Sequence, residues 1–159
     1  MLPDWLPELI LLTRYNGDWD AYIDAVHEEF CRGFLREKLV YRGKRVGLKR
    51  HPLENGREAT FWHMVSTGPV EDQRQIDLRR CERIAWPRAI LDNCDDPCLK
   101  TWTEFYNKEP RIHIWCEAAE YLFVLADRGE YVLPWTAYPV TQLHMKKKLL
   151  KRWQANGGT

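Results

Sequence analysis

His63, within "ATFWHMVS" at positions 59–66, is the residue around which a reaction can be written. An imidazole exchanges protons near neutral pH, so it serves as base or acid without a large perturbation. Elsewhere the chain offers a basic group, Lys49, Arg50 and His51, and a run of arginines, Arg79, Arg80, Arg83 and Arg88. Thr136 and Tyr138 follow in "LPWTAYPV". Cleavage of RNA through a cyclic phosphate uses such parts. A base takes the proton of the ribose 2′-hydroxyl, cations stabilise the phosphorane, and an acid protonates the leaving 5′-oxygen. His63 suits the base or acid role. Lys49 and Arg83 suit the phosphate, the arginine bidentately. Thr136 and Tyr138 suit hydrogen bonds to the scissile group. The competing reading is a packed structural histidine, because His63 shares a face with Phe61 and Val65 in what reads as a strand.

Metal chemistry has less support. Cys94, Cys98, His113 and Cys116 make a Cys₃His set by count, the alternative being a zinc-stabilised interaction module. Pro97 interrupts the first pair, and His113 and Cys116 should point to opposite faces of a strand. Free thiols are the preferred reading. Asp92, Asp95 and Asp96 share one loop and read as solvated rather than magnesium-binding. There is no glycine-rich phosphate cradle, no helical His-Glu-x-x-His and no nucleophile elbow. The expectation is a site without cofactor or metal.

The elements that must position these groups are organised around "RIHIWCEAAEYLFVLADRGEYVLPWTAYPV", residues 111–140. It reads as three consecutive strands. Ile112, Ile114 and Cys116 alternate with their neighbours, and "YLFVLA" is an apolar run suited to a central strand covered on both faces. Pro134 cannot donate to a ladder, which calls for an edge strand or a bulge. "KTWTEFYNKEP" before it reads as a short strand or an irregular arm.

Ahead of the sheet, Leu2 to Leu12 offers a short helix. Asp18 then caps a strong amphipathic pattern through Trp19, Tyr22, Ile23, Val26, Phe30 and Phe34. His27 lies in that stripe and reads as a hydrogen-bonded core histidine. Residues 39–49 and "ATFWHMVS" read as a hairpin whose long basic tip holds Lys49, Arg50, His51 and Arg57. "QRQIDLRRCERIAW" reads as one arginine-dense helix that Pro87 ends or kinks. A last helix runs from about residue 141 to Gln154. Leu143, Met145, Leu149, Leu150 and Trp153 form one arc of it, and a basic arc includes Lys147. Lys146 projects from the apolar arc, to snorkel or to reach a site.

The predicted architecture is one α+β domain over 1–159: N-terminal helices over 1–38, an antiparallel sheet of about four strands with an inserted helix over 39–140, and a basic C-terminal helix over 141–156. At 159 residues this is the economical choice. A formal net charge of +1 provides no global field for nucleic acid, so a local basic surface must serve. Eight Trp and seven Tyr mostly fill a core, and exposed ones suit base stacking. No apolar run reaches membrane-span length, and "LPELILLT" is too short and lacks the basic leader of a secretion signal. Five cysteines, an odd number, point to reduced thiols in the cytoplasm.

"KRHPLENGREATFWHMVSTG", "DLRRCERIAWPRAILDN" and "GEYVLPWTAYPV" followed by a basic helix resemble the prophage-type nucleases of the Barnase–EndoU–Colicin–RelE-like superfamily, over roughly residues 45–153. The resemblance implies helices on a four-stranded antiparallel sheet and metal-independent RNA cleavage, on tRNA or ribosome-engaged mRNA. It implies a toxin held in check by an antitoxin or immunity protein. It carries over to His63, Arg83 and Thr136, with Lys49 and Tyr138 beside them. Arg50, His51, Arg79, Arg80, Arg88, Lys146 and Lys147 would then bind RNA. The rival expectation is a non-catalytic phage or mobile-element module that binds nucleic acid or protein through the same sheet.

Overall fold

The computed structural model describes residues 1–158. Pro3 and Pro7 keep the first eleven residues out of a regular helix, contrary to the sequence reading. Only a 3₁₀ turn forms, over Leu12–Tyr15. The segment is instead strapped down by hydrogen bonds. Trp5 Nε1 donates to Asp96 (2.8 Å), Trp86 Nε1 to the Pro7 carbonyl (2.8 Å) and the Tyr22 hydroxyl to the Ile10 carbonyl (2.8 Å).

Helix α1 spans Trp19–Phe34, and Asp18 accepts from the Ala21 N–H at 3.1 Å as its N-cap. Two short strands follow, β1 (Val40–Tyr41) and β2 (Lys44–Val46). Helix α2 covers Ala59–Val65. Here the predicted strand is wrong. Thr60, Phe61, Met64 and Val65 are the buried positions, the spacing of a helical face rather than an alternating strand. A seven-residue apolar segment fits either period, and the backbone of Lys49 decides between them. Its N–H donates to Thr60 Oγ1 at 2.8 Å, and its carbonyl accepts from Thr60 N at 2.9 Å.

The predicted single helix over 71–93 is also broken. Strands β3 (Ser66–Thr67) and β4 (Gln75–Ile76) pair as a small separate ribbon. Asp77 then caps α3 (Leu78–Glu82), accepting from Arg79 N and Arg80 N. Pro87 opens α4 (Trp86–Asp92) from its first turn, where a missing N–H costs nothing.

Strands β5 (Leu99–Tyr106), β6 (Glu109–Cys116), β7 (Tyr121–Asp127) and β8 (Tyr131–Pro139) make an antiparallel meander, and α5 (Leu143–Ala155) closes the chain. The sheet has six strands rather than about four, in the order β1-β2-β8-β7-β6-β5, and is mixed because β2 runs parallel to β8. The α+β class holds. β7 is central and buried along its apolar run. Pro134 is accommodated by a bulge: Val124 pairs with Thr136 and Leu125 with Pro134, which leaves Trp135 without a partner.

Side chains alternate between two cores. Ile114, Cys116, Tyr121, Phe123 and Leu125 face α1 to α4. Trp102, Trp115, Leu122 and Val124 face α5, where Leu149 is buried and Met145, Leu150 and Trp153 pack around it. No helix among the described residues is long and apolar enough to cross a membrane.

Candidate functional site

β2 pairs with β8 only at Tyr131 and Val132, so the edge of β8 beyond them is open to other partners. Helix α2 lies against that edge. The imidazole of His63 caps it: a carbonyl can only accept, so Nδ1–H donates to the Trp135 oxygen. This fixes the tautomer. Nε2 carries the lone pair and has no protein partner among the described residues. The Trp135 ring packs beside the imidazole, 4.7 Å between centroids. Burial holds the His63 pKa below its ordinary value. The hydrogen bond to Trp135 opposes the shift, and the nearby cations of Arg74 and Arg80 reinforce it. The ring is therefore neutral at pH 7, with a base at Nε2.

His63 lines a cleft of about 580 Å³ between α2 and β8, shared with Lys49, Trp62, Glu71, Pro134 and Trp135. A second lobe of about 410 Å³ continues past His63 to Ser66, Asp72 and Arg74. Arg74 grips the corner after α2. It donates from Nε to Ser66 Oγ (3.0 Å), from Nη1 to the Gly68 carbonyl (2.8 Å), and from Nη2 to the carbonyls of Ser66 (2.5 Å) and His63 (3.2 Å). None of these acceptors carries charge, so the cation's field stays available. Arg80 Nη1 bridges the Ser66 carbonyl (2.8 Å) and Thr136 Oγ1 (3.0 Å), and its guanidinium lies 5.0 Å from the Tyr138 ring centroid. Asp77 comes only within 3.8 Å of Arg80 Nε.

The sequence candidates therefore divide. His63 and Lys49 share the cleft. Thr136 and Tyr138 line neither lobe: Arg80 bonds Thr136 and lies over the Tyr138 ring, which packs against the core on the α5 side. Arg83 turns away: its Nη1 donates to the Arg79 carbonyl (3.0 Å) and to buried Glu82 (3.3 Å), and its guanidinium stacks 5.1 Å from the Trp86 ring centroid. Arg79 also pairs with Glu82, at 3.0 Å. Arg88 ties α4 to α1 through Asp92, Glu37 and the Gly33 carbonyl. Lys146 pairs with Glu120 at the β6–β7 turn, and Lys147 is exposed on α5, across the sheet from α2. Arg50 and His51 are exposed in the loop before α2.

The Cys₃His set does not assemble. His113 sits on the α5 face, stacked on Trp102 at 5.1 Å, whereas Cys116 is in the opposite core with Cys98 packed against it. Both ring nitrogens of His113 are satisfied, by the Arg111 carbonyl (3.0 Å) and by Arg152 Nη2 (3.2 Å).

Sequence reasoning missed Arg74, Glu71 and Trp135. Trp135 carried a signal, since a proline inside a strand marks a bulge and the neighbouring residue is re-aimed by it. Comparison with known proteins gives no family model, curated protein or solved structure that matches the chain.

Proposed function

We propose that the chain is a metal-independent endoribonuclease that cleaves RNA by attack of the 2′-hydroxyl. The observation that carries this reading is the fixed tautomer of His63, whose unprotonated Nε2 faces a cleft shared with Lys49 and Arg74. His63 takes the 2′-hydroxyl proton. Lys49 and Arg74 stabilise the phosphorane, and Lys49 protonates the leaving 5′-oxygen. Trp62, which lines the cleft, supplies an aromatic surface for an unstacked base.

The resemblance to the Barnase–EndoU–Colicin–RelE-like nucleases supplies the biological setting. The protein then acts in the cytoplasm as a prophage or mobile-element toxin, on tRNA or ribosome-engaged mRNA, opposed by an antitoxin. The test is incubation with total RNA in EDTA, at a temperature where circular dichroism shows the chain folded. Fragments ending in a 2′,3′-cyclic phosphate with 5′-hydroxyl partners are expected. Intact RNA from a well-folded sample overturns the reading.

One observation favours a binding module instead. Phe105 and Tyr106 are exposed at the tip of the β5–β6 hairpin, an apolar knob suited to a protein partner. Binding of a protein partner that is lost in Phe105→Ser, with no RNA cleavage, would support that alternative.

A further inference from the structure

Away from the cleft, α1 and the start of α2 bring three different ligand types together. His27 and Cys31 are four residues apart on α1 and so lie on one face. Glu58 stands at the N-cap of α2, where a side chain ordinarily turns back to its own helix; no such capping bond forms. Its carboxylate reaches across instead, with Oε1 2.7 Å from His27 Nε2. Cys31 Sγ is 3.5 Å from the same nitrogen. The three donor atoms all lie within 4.8 Å of one another. The His27 and Glu58 side chains are 21% and 12% exposed, and the Phe61 ring meets the imidazole edge-on at 4.9 Å.

We propose that His27, Cys31 and Glu58 form a three-ligand site for a divalent cation of the zinc type. Nitrogen, sulfur and carboxylate oxygen together match zinc rather than magnesium or calcium, which take oxygen alone. Charge also balances. A thiolate and a carboxylate neutralise a dication, and the neutral imidazole adds a third bond. Cys31 Sγ lies 3.5 Å from Nε2 and 3.9 Å from Nδ1, beside the ring, so binding requires the thiol to swing toward the Nε2 lone pair and, at zinc bond lengths near 2.0–2.2 Å, the nitrogen and oxygen to part by roughly half an ångström. Exposure on one side leaves the fourth position to water. The site clips α1 to the residue preceding α2, five positions upstream of His63, and so acts on stability. This inference does not rest on the ribonuclease reading.

The test is titration of the intact, reduced chain with Co²⁺ and with Zn²⁺. One equivalent of Co²⁺ is expected to give a thiolate-to-cobalt charge-transfer band, lost in Cys31→Ser and retained in Cys98→Ser. Zn²⁺ is expected to raise the melting temperature of the parent and of Cys98→Ser, and to leave Cys31→Ser unmoved. Glu58→Gln, which keeps the shape of the side chain, is expected to weaken binding and serves if Cys31→Ser fails to fold. A band that persists in Cys31→Ser, a Co²⁺ affinity undiminished in Glu58→Gln, or no band in the folded parent overturns the proposal.

Discussion

The Nδ1–H of His63 donates to the carbonyl oxygen of Trp135, the one residue of β8 that the bulge leaves unpaired. An irregularity in a strand thus sets the tautomer of an imidazole 72 residues earlier in the chain. The bulge turns a backbone acceptor outward, α2 delivers the ring to it, and the opposite nitrogen is left facing the cleft.

Acid should weaken the protein first through its histidines. Burial depresses the pKa of His63, and burial with Arg152 does the same for His113. The unfolded chain then binds more protons than the native one, so stability rises with pH across this window. The expected result in urea titrations is a decline as pH falls from about 6.5, the ordinary imidazole value, that levels off below the depressed native values. Asp127, held down by Lys44, adds a separate loss at lower pH, below the ordinary carboxylate range. In His113→Asn the first decline should shrink.

Arg83 and Arg74 should behave differently. Arg83 serves Glu82 and Trp86, so Arg83→Met should lower the melting temperature, because it leaves buried Glu82 with one partner fewer, while cleavage constants stay within a few-fold of the parent. Arg74→Met should slow cleavage by about 10²-fold, the loss of one positioned cation. Measured rates beside calorimetric melts separate the two. Equal effects on rate would contradict the assignment.

Much of this was legible in the sequence, and the failures share a cause. The long elements were readable because their patterns run over many residues: α1 from its cap and stripe, β6 to β8 from alternation and the apolar run, α5 from its two arcs. Proline chemistry left an edge strand or a bulge at Pro134, and the structure has the bulge. The short elements were not. "ATFWHMV" carries only two helical turns, and a tertiary clasp from Lys49 decided its state. Asp77 is a good N-cap, but an arginine-rich stretch on both sides of it reads as one helix. The sequence reading took Arg83 for the phosphate, whereas the structure sets Arg74 against His63 and Arg80 against Thr136, an arrangement that depends on where α3 begins.

The cap of α1 offers a check on local energetics. Asp18→Ala removes the acceptor for Ala21 N–H and should cost about 1 kcal/mol. Leu122→Ala, in the core beneath α5, should cost about 2–5 kcal/mol. Denaturant midpoints at constant slope read both, and a larger loss at the exposed cap than in the core would be inconsistent with the fold.

The neutral base is tested most directly by single-turnover cleavage of a short single-stranded RNA at pH 7 in EDTA, with the parent beside His63→Ala and His63→Gln. The account predicts a rate lower by about 10²–10⁴-fold in both variants, with melting temperatures and RNA affinity close to the parent. Cleavage that continues undiminished in folded His63→Ala would contradict it.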